Sequence, residues 1–232
     1  MNLFLLPFAG ASAYSYKGFE KLAPAELKLT TLELPGRGKK VRQSLLTDMQ
    51  SLTDHLYEEI KQKTNEPYAI YGHSMGTILG YLIVQKIAAA GLPLPQHLFF
   101  TGCEGPSCLV HKVIMHDLSS KELVAELKKM GGSSDEVFED EAMMAYFEPI
   151  LRADFKAIET YVYEETTPLD VPISVFTGLE EEITYEAAAS WQKETTQPVT
   201  VTQLPGDHFF IYDHEEIIMK SICQKLMGSF AS

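Results

Sequence analysis

The pentapeptide Gly72-His73-Ser74-Met75-Gly76 constrains this chain more than any other stretch. It follows a short apolar run, Tyr68–Tyr71, and opens a helical pattern, Met75–Ala90, which stops at Gly91 and Pro93. A chain that passes from strand to helix around one residue presses the positions two before and two after it together, so both must be small. The residue at the apex stands clear of the backbone at the carboxyl end of the strand. It also sits at a helix N-terminus, where free N–H groups and the helix dipole favour negative charge. A serine there is presented as a nucleophile. The same letters suit a serine N-cap between turn glycines, but the strand before and the helix after favour the nucleophile.

Around this turn, short apolar runs alternate with helical patterns. Strands are expected at Asn2–Leu6, Leu27–Glu33, His97–Thr101, Ile173–Thr177 and Val199–Leu204. Met49, Leu52, Leu56 and Ile60 recur on one helical face, and helices are also expected at Tyr185–Glu194 and Glu215–Met227. Strands separated by helices argue for an α/β fold with a mostly parallel sheet covered on both faces. One segment breaks the alternation: residues 106–166 hold no convincing strand. Leu123, Val124, Leu127 and Met130 suit one amphipathic helix. Met144, Phe147, Leu151, Phe155, Ile158 and Val162 suit another, which Pro149 should kink or break. Such an insertion is a candidate lid over a site, or else a plain helical subdomain. Gly131-Gly132-Ser133-Ser134 is its one obviously flexible patch.

A serine hydroxyl needs a base, and the elbow predicts a histidine after the last strand. His208, in Pro205-Gly206-Asp207-His208-Phe209-Phe210, can reach back over the sheet edge; His214 lies among Asp213, Glu215 and Glu216 and reads as a surface residue. His73 adjoins the serine but points elsewhere. The acid that orients the imidazole should follow strand Ile173–Thr177. There the sequence reads Gly178-Leu179-Glu180-Glu181-Glu182, so one of three glutamates takes the role. An oxyanion hole needs two N–H donors: Met75, after the nucleophile, and either Phe8 or Ala9 in the loop after the first strand, since Pro7 cannot donate.

Together these residues resemble the type II thioesterases, the stand-alone editing hydrolases of non-ribosomal peptide and polyketide synthesis. The resemblance runs nearly end to end. It takes in Leu6-Pro7-Phe8-Ala9-Gly10, Pro35-Gly36-Arg37-Gly38, the elbow, Leu151-Arg152-Ala153-Asp154, Val175-Phe176 with Gly178, and Gly206-Asp207-His208-Phe209-Phe210. It implies a single α/β-hydrolase domain over 1–232 with the helical lid at about 106–166. It implies Ser74 as nucleophile, His208 as base and Glu181 as acid, with Glu180 or Glu182 as substitutes. Phe8 and Met75 match the oxyanion donors, with Ala9 second to Phe8. The substrate implied is an acyl group on the phosphopantetheine arm of an acyl or peptidyl carrier protein. Glu181 stands where the family usually has aspartate, Ala11 where it often has a second glycine, and Asp154 is expected to be a structural residue of the lid.

Composition narrows the partners. Of 232 residues, 19 are Lys or Arg and 32 are Asp or Glu, a formal net charge of −13. That argues against nucleic acid and against docking on an anionic membrane, and no apolar run approaches a transmembrane helix. Three cysteines (Cys103, Cys108 and Cys223) lack metal-site spacing, so no metal or cofactor is expected, and they point to a reducing cytoplasm. Nothing demands an oligomer, so a monomer is expected. Carrier proteins are usually acidic, and the candidate basic patches to meet them are Arg37, Lys39, Lys40 and Arg42, and His111, Lys112, Lys128 and Lys129 in the lid. Rival readings are a small-molecule esterase or acyl-CoA thioesterase, and a non-catalytic relative that binds acyl chains.

Overall fold

The computed structural model describes residues 1–131 and 138–228. Its sheet has six strands: β1 (Asn2–Leu6), β2 (Lys28–Thr31), β3 (Tyr68–His73), β4 (Leu98–Thr101), β5 (Ile173–Gly178) and β6 (Val199–Leu204). They pair in the order β2-β1-β3-β4-β5-β6, and every pairing is parallel. The four central strands, β1, β3, β4 and β5, are buried along their whole length because both faces are covered, while the edge strands β2 and β6 are partly exposed. Phe4, Leu6, Ile70, Leu98, Phe100 and Val175 feed one buried cluster, while Leu3, Leu5, Tyr71, Phe99 and Phe176 feed another on the opposite side.

The first cluster is closed by α2 (Met49–Ile60) and α3 (Met75–Ala89). Helix α2 buries the predicted stripe Met49, Leu52, Leu56 and Ile60, and its N-cap Asp48 accepts a hydrogen bond from Ser51 N. The second is closed by α1 (Lys17–Leu22) and α7 (Glu215–Met227). Helix α1 was not predicted: six residues that bury only Phe19 carry no readable period. Strand β2 is shorter than the expected Leu27–Glu33. The expected helix Tyr185–Glu194 divides into α6 (Tyr185–Ala189) and a tighter 3-10 turn, Ser190–Glu194.

Between β4 and β5 the described residues form no strand. They form short 3-10 turns at Pro106–Cys108 and Met115–Asp117, then α4 (Ser120–Met130) and α5 (Glu141–Glu159). A reciprocal capping box of Ser119 and Glu122 starts α4. Helix α5 continues through Pro149, so of the expected kink or break the break does not occur; Pro149 and Ala145, whose carbonyl the proline leaves without an N–H, both lie on the exposed side, where water can satisfy it. Val162 falls beyond the helix end and is exposed rather than on its apolar face. Of the glycine-serine patch only Gly131 is described; Gly132, Ser133 and Ser134 lie outside the described residues.

Candidate active site

Ser74 is the sole non-glycine residue with positive φ among those described, at φ 50° and ψ −123°. Such strain costs on the order of 1–3 kcal/mol and persists only where the surroundings over-determine it. Here they do. Ser74 N donates to Thr101 O at 2.8 Å, and Thr77 returns two hydrogen bonds to Ser74 O. A Cβ on Gly72 would lie 2.3 Å from Gly76 O, and one on Gly76 would lie 3.0 Å from Leu6 O. The two glycines therefore do separate work: Gly72 lets the turn close on itself, and Gly76 lets α3 approach the loop after β1.

His208 lies in the loop after β6, with Gly206 at φ 115°. That loop is zipped to the one after β5. Leu179 N donates to Leu204 O, Glu180 N donates to Gly206 O, and Gly206 N donates back to the Glu180 carboxylate. The zipper separates the three glutamates. Glu180 is occupied by Gly206, and Glu182 pairs with Lys112 in solvent. The Glu181 side chain is buried: its Oε2 accepts from Gly178 N at 2.6 Å and its Oε1 meets His208 Nδ1 at 2.6 Å. A carboxylate only accepts, so the proton is on Nδ1 and Nε2 is left as a base. The Ser74 hydroxyl has no partner among the described residues, and Ser74 and His208 line one cavity.

Under His208 lies His73, fully buried, with ring centroids 4.8 Å apart. It does not line the cavity; it lies beneath it, with Phe8 and Phe209 packed against its ring. His73 Nδ1 is bonded to Thr101 Oγ1 at 3.0 Å, while its Nε2 is buried without a partner. Burial, and then the neighbouring His208, hold its pKa well below the usual histidine range, so it stays neutral.

The loop after β1 turns at Phe8–Ala11, closed by Ala11 N donating to Phe8 O at 2.9 Å, with Gly10 at φ 78°. Ala11 has no positive φ, so alanine is unstrained where a second glycine was the expectation. The Gly10 N–H is taken by Asp154 Oδ2 at 2.8 Å. Those of Phe8 and Ala9 meet no acceptor among the described residues, and Met75, first residue of α3, has no carbonyl a turn earlier to receive its own.

The cavity measures about 280 Å³. Its walls are mostly apolar and come from α4 and α5: Leu127, Met130, Met144, Phe147, Leu151 and Phe155. Met143 and Tyr146, next to Met144 and Phe147 in the sequence, are exposed instead. Ser12, Ser15 and Tyr212 add hydroxyls that no motif announced. The basic cluster is corrected too. Arg37 is buried against Asp154 and cannot meet a partner, and Lys40 is turned onto His55, Glu59 and the Glu33 carbonyl, which leaves Lys39 and Arg42 exposed. Among the described residues no cluster of His, Cys, Asp and Glu could hold a metal, and no helix is long and apolar enough to cross a membrane.

This strand order, with the strained serine after β3 and the histidine after β6, is that of an α/β-hydrolase. Solved structures agree. The chain superposes with TM-score 0.90 on ClbQ from the colibactin NRPS/PKS pathway (33% identity, 97% of this chain, 95% of that one). It superposes with TM-score 0.89 on the type II thioesterase BorB from the borrelidin biosynthetic cluster (31%, 97% and 92%). In sequence it is 31% identical over 227 residues to the gramicidin S biosynthesis protein GrsT of Aneurinibacillus migulanus, across 97% of this chain and 89% of that one. Residues 1–226 match the family model described as Thioesterase domain. The chain belongs to that thioesterase family and is a thioester hydrolase.

Proposed function

We propose that this chain releases acyl groups from the phosphopantetheine arm of acyl or peptidyl carrier proteins, clearing carriers of a synthetase or synthase that hold unwanted acyl groups. The observation that carries the reading is the 2.6 Å contact of Glu181 with His208 at the rim of the cavity that also holds Ser74. The end-to-end likeness to proteins of gramicidin S, colibactin and borrelidin biosynthesis supports the carrier substrate.

Ser74 Oγ attacks the thioester carbonyl while His208 Nε2 takes its proton. Charge on the carbonyl oxygen is met by the N–H groups of Met75 and Phe8, with Ala9 beside them. The C–S bond breaks, the phosphopantetheine thiol leaves with the proton from His208, and the acyl group stays on Ser74. A water molecule then gives its proton to His208 and attacks the acyl-serine; the acid departs and Ser74 recovers its proton. Glu181 keeps the imidazole in the Nδ1–H tautomer and stabilises the imidazolium. The pantetheine belongs to the substrate, and the enzyme works as a monomer without a cofactor or metal of its own. Its compartment is the cytoplasm, the reading its three cysteines suggest.

Turnover of one acyl group presented on a carrier protein and on coenzyme A tests the substrate. We expect kcat/KM at least about tenfold higher on the carrier, since only the carrier adds a protein surface to the binding. Equal efficiencies would move the assignment to a small-molecule thioesterase.

A further inference from the structure

Asp154 is fully buried on the lid helix α5, and no step above uses it. Both its oxygens are engaged by Arg37, with Nη1 at 2.6 Å from Oδ2 and Nη2 at 2.7 Å from Oδ1. Oδ2 also accepts the N–H of Gly10 at 2.8 Å, and Arg37 Nη1 reaches Ala11 O at 3.4 Å. Carboxylate and guanidinium thus hold backbone groups of the consecutive residues Gly10 and Ala11, in the turn whose preceding residues, Phe8 and Ala9, line the cavity with Ser74 and have N–H groups without an acceptor among the described residues. The same helix presses on this turn with Leu151, whose Cδ2 lies 2.7 Å from where a Gly10 Cβ would be.

Stability does not account for this pair. Two buried charges cost desolvation, and well-packed apolar residues of similar shape commonly replace such pairs with no loss. Arg37 Nε, moreover, is buried without a partner. A charge-assisted bidentate pair does what an apolar contact cannot: it fixes orientation. Oxyanion donors depend on orientation, because they must sit near 2.7–3.1 Å from a position the oxygen reaches only in the transition state.

We propose that Asp154, clamped by Arg37, is a positioning residue for the oxyanion hole and ties the competence of the Phe8 and Ala9 donors to the seating of the lid helix. This rests on the reading of Ser74 as nucleophile and of the β1 loop as oxyanion loop. Its consequence is that a change in the lid, remote from the reacting bond, acts on kcat rather than only on acyl-chain binding.

The experiment uses Asp154→Asn, which keeps the size and an acceptor for Gly10 but removes the charge from the pair. Active sites are titrated with a fluorophosphonate, and kcat is expressed per titrated site, so that misfolded enzyme does not count. We expect kcat per site to fall about tenfold with KM within about twofold. Affinity for an acyl trifluoromethyl ketone, which places an oxyanion in the hole, should fall by the same factor. A purely structural Asp154 would lower thermal stability and the titrated fraction while leaving kcat per site and ketone affinity unchanged; that result overturns the proposal. If Asp154→Asn does not fold, Arg37→Lys, which keeps one charged contact, is read in the same way, and a kcat per site equal to wild type likewise overturns it. Failure of the underlying reading looks different: the wild-type protein would not be labelled at Ser74, or Ser74→Ala would retain activity.

Discussion

The rim of the sheet and the helical insertion supply the site in different ways. At the rim every proposed catalytic group is fixed by backbone: Ser74 by Thr101 and Thr77, Glu181 by Gly178, and the His208 loop by Leu179 and Glu180. In the insertion the cavity wall is made of apolar side chains, Met144, Phe147 and Leu151 among them, and the polar ties of its helices, Ser120 to Glu148, Arg152 to His116 O and Asp154 to Arg37, are made by residues outside that wall. Backbone hydrogen bonds hold atoms to tenths of an ångström and tolerate little change; apolar packing tolerates exchange at similar volume. The contrast assigns chemistry to the rim and selectivity among acyl groups to the insertion, and Asp154 is where the two meet.

The largest test of the contrast is at the rim. Ser74→Ala should lower kcat about 10⁶-fold on an acyl-carrier substrate, and Glu181→Ala about 10⁴-fold, because the acid orients the base without reacting. Glu180→Ala and Glu182→Ala should each stay within about threefold of wild type in steady-state assays. A deep loss in Glu180→Ala with Glu181→Ala unaffected would move the acid by one residue.

Next in size is acid sensitivity, which should also lie in the sheet. His97 is stacked on Phe99 and bonded to Ser174 Oγ at 2.8 Å, and burial, then Lys225, bring its pKa down to about 4. His73 is lowered in the same sense. In both, the unfolded chain takes up the proton first. Their contribution is therefore complete above pH 6.5 and is lost as the pH falls toward the folded-state values. Between pH 7 and pH 5 His97 alone should cost about 2 kcal/mol. Urea unfolding at the two pH values should show a smaller drop for His97→Gln; an equal drop would place the sensitivity elsewhere.

The smallest effect is expected in the wall. Met144→Leu and Phe147→Leu should shift kcat/KM between short and long acyl groups by about threefold while leaving kcat on the best substrate nearly unchanged. A panel of acyl-carrier substrates from acetyl upward reads this directly, and a uniform loss of kcat would erase the distinction between rim and wall.

What could be read from the letters follows the same division. The elbow was legible because its geometry admits glycine at positions 72 and 76 and little else. The helix α2 stripe was legible because periodicity reports burial. The triad acid was not, since three adjacent glutamates are equivalent as letters. What separates them is the turn after Gly178, where the extra methylene of Glu181 lets one carboxylate reach back to Gly178 N and across to His208. Arg37 looked like surface charge among Lys39, Lys40 and Arg42, because the carboxylate that buries it is 117 positions away. The packing of His73 under His208 was equally hidden: no local pattern tells which distant ring a buried histidine will meet.

The parallel register of β4 with β5 carries a last consequence. Leu98 faces Ile173 and Phe100 faces Val175, so the chain leaves the sheet after Thr101 and re-enters it at its next-door strand. Everything between is a spliced excursion, whose closure entropy grows only with the logarithm of its length. Lineages can therefore lengthen, shorten or exchange this excursion and inherit an unaltered nucleophile, base and acid. The tolerance has one condition: a transplanted segment must bring a carboxylate to the place Asp154 occupies, or leave an arginine stranded beside the turn that follows β1.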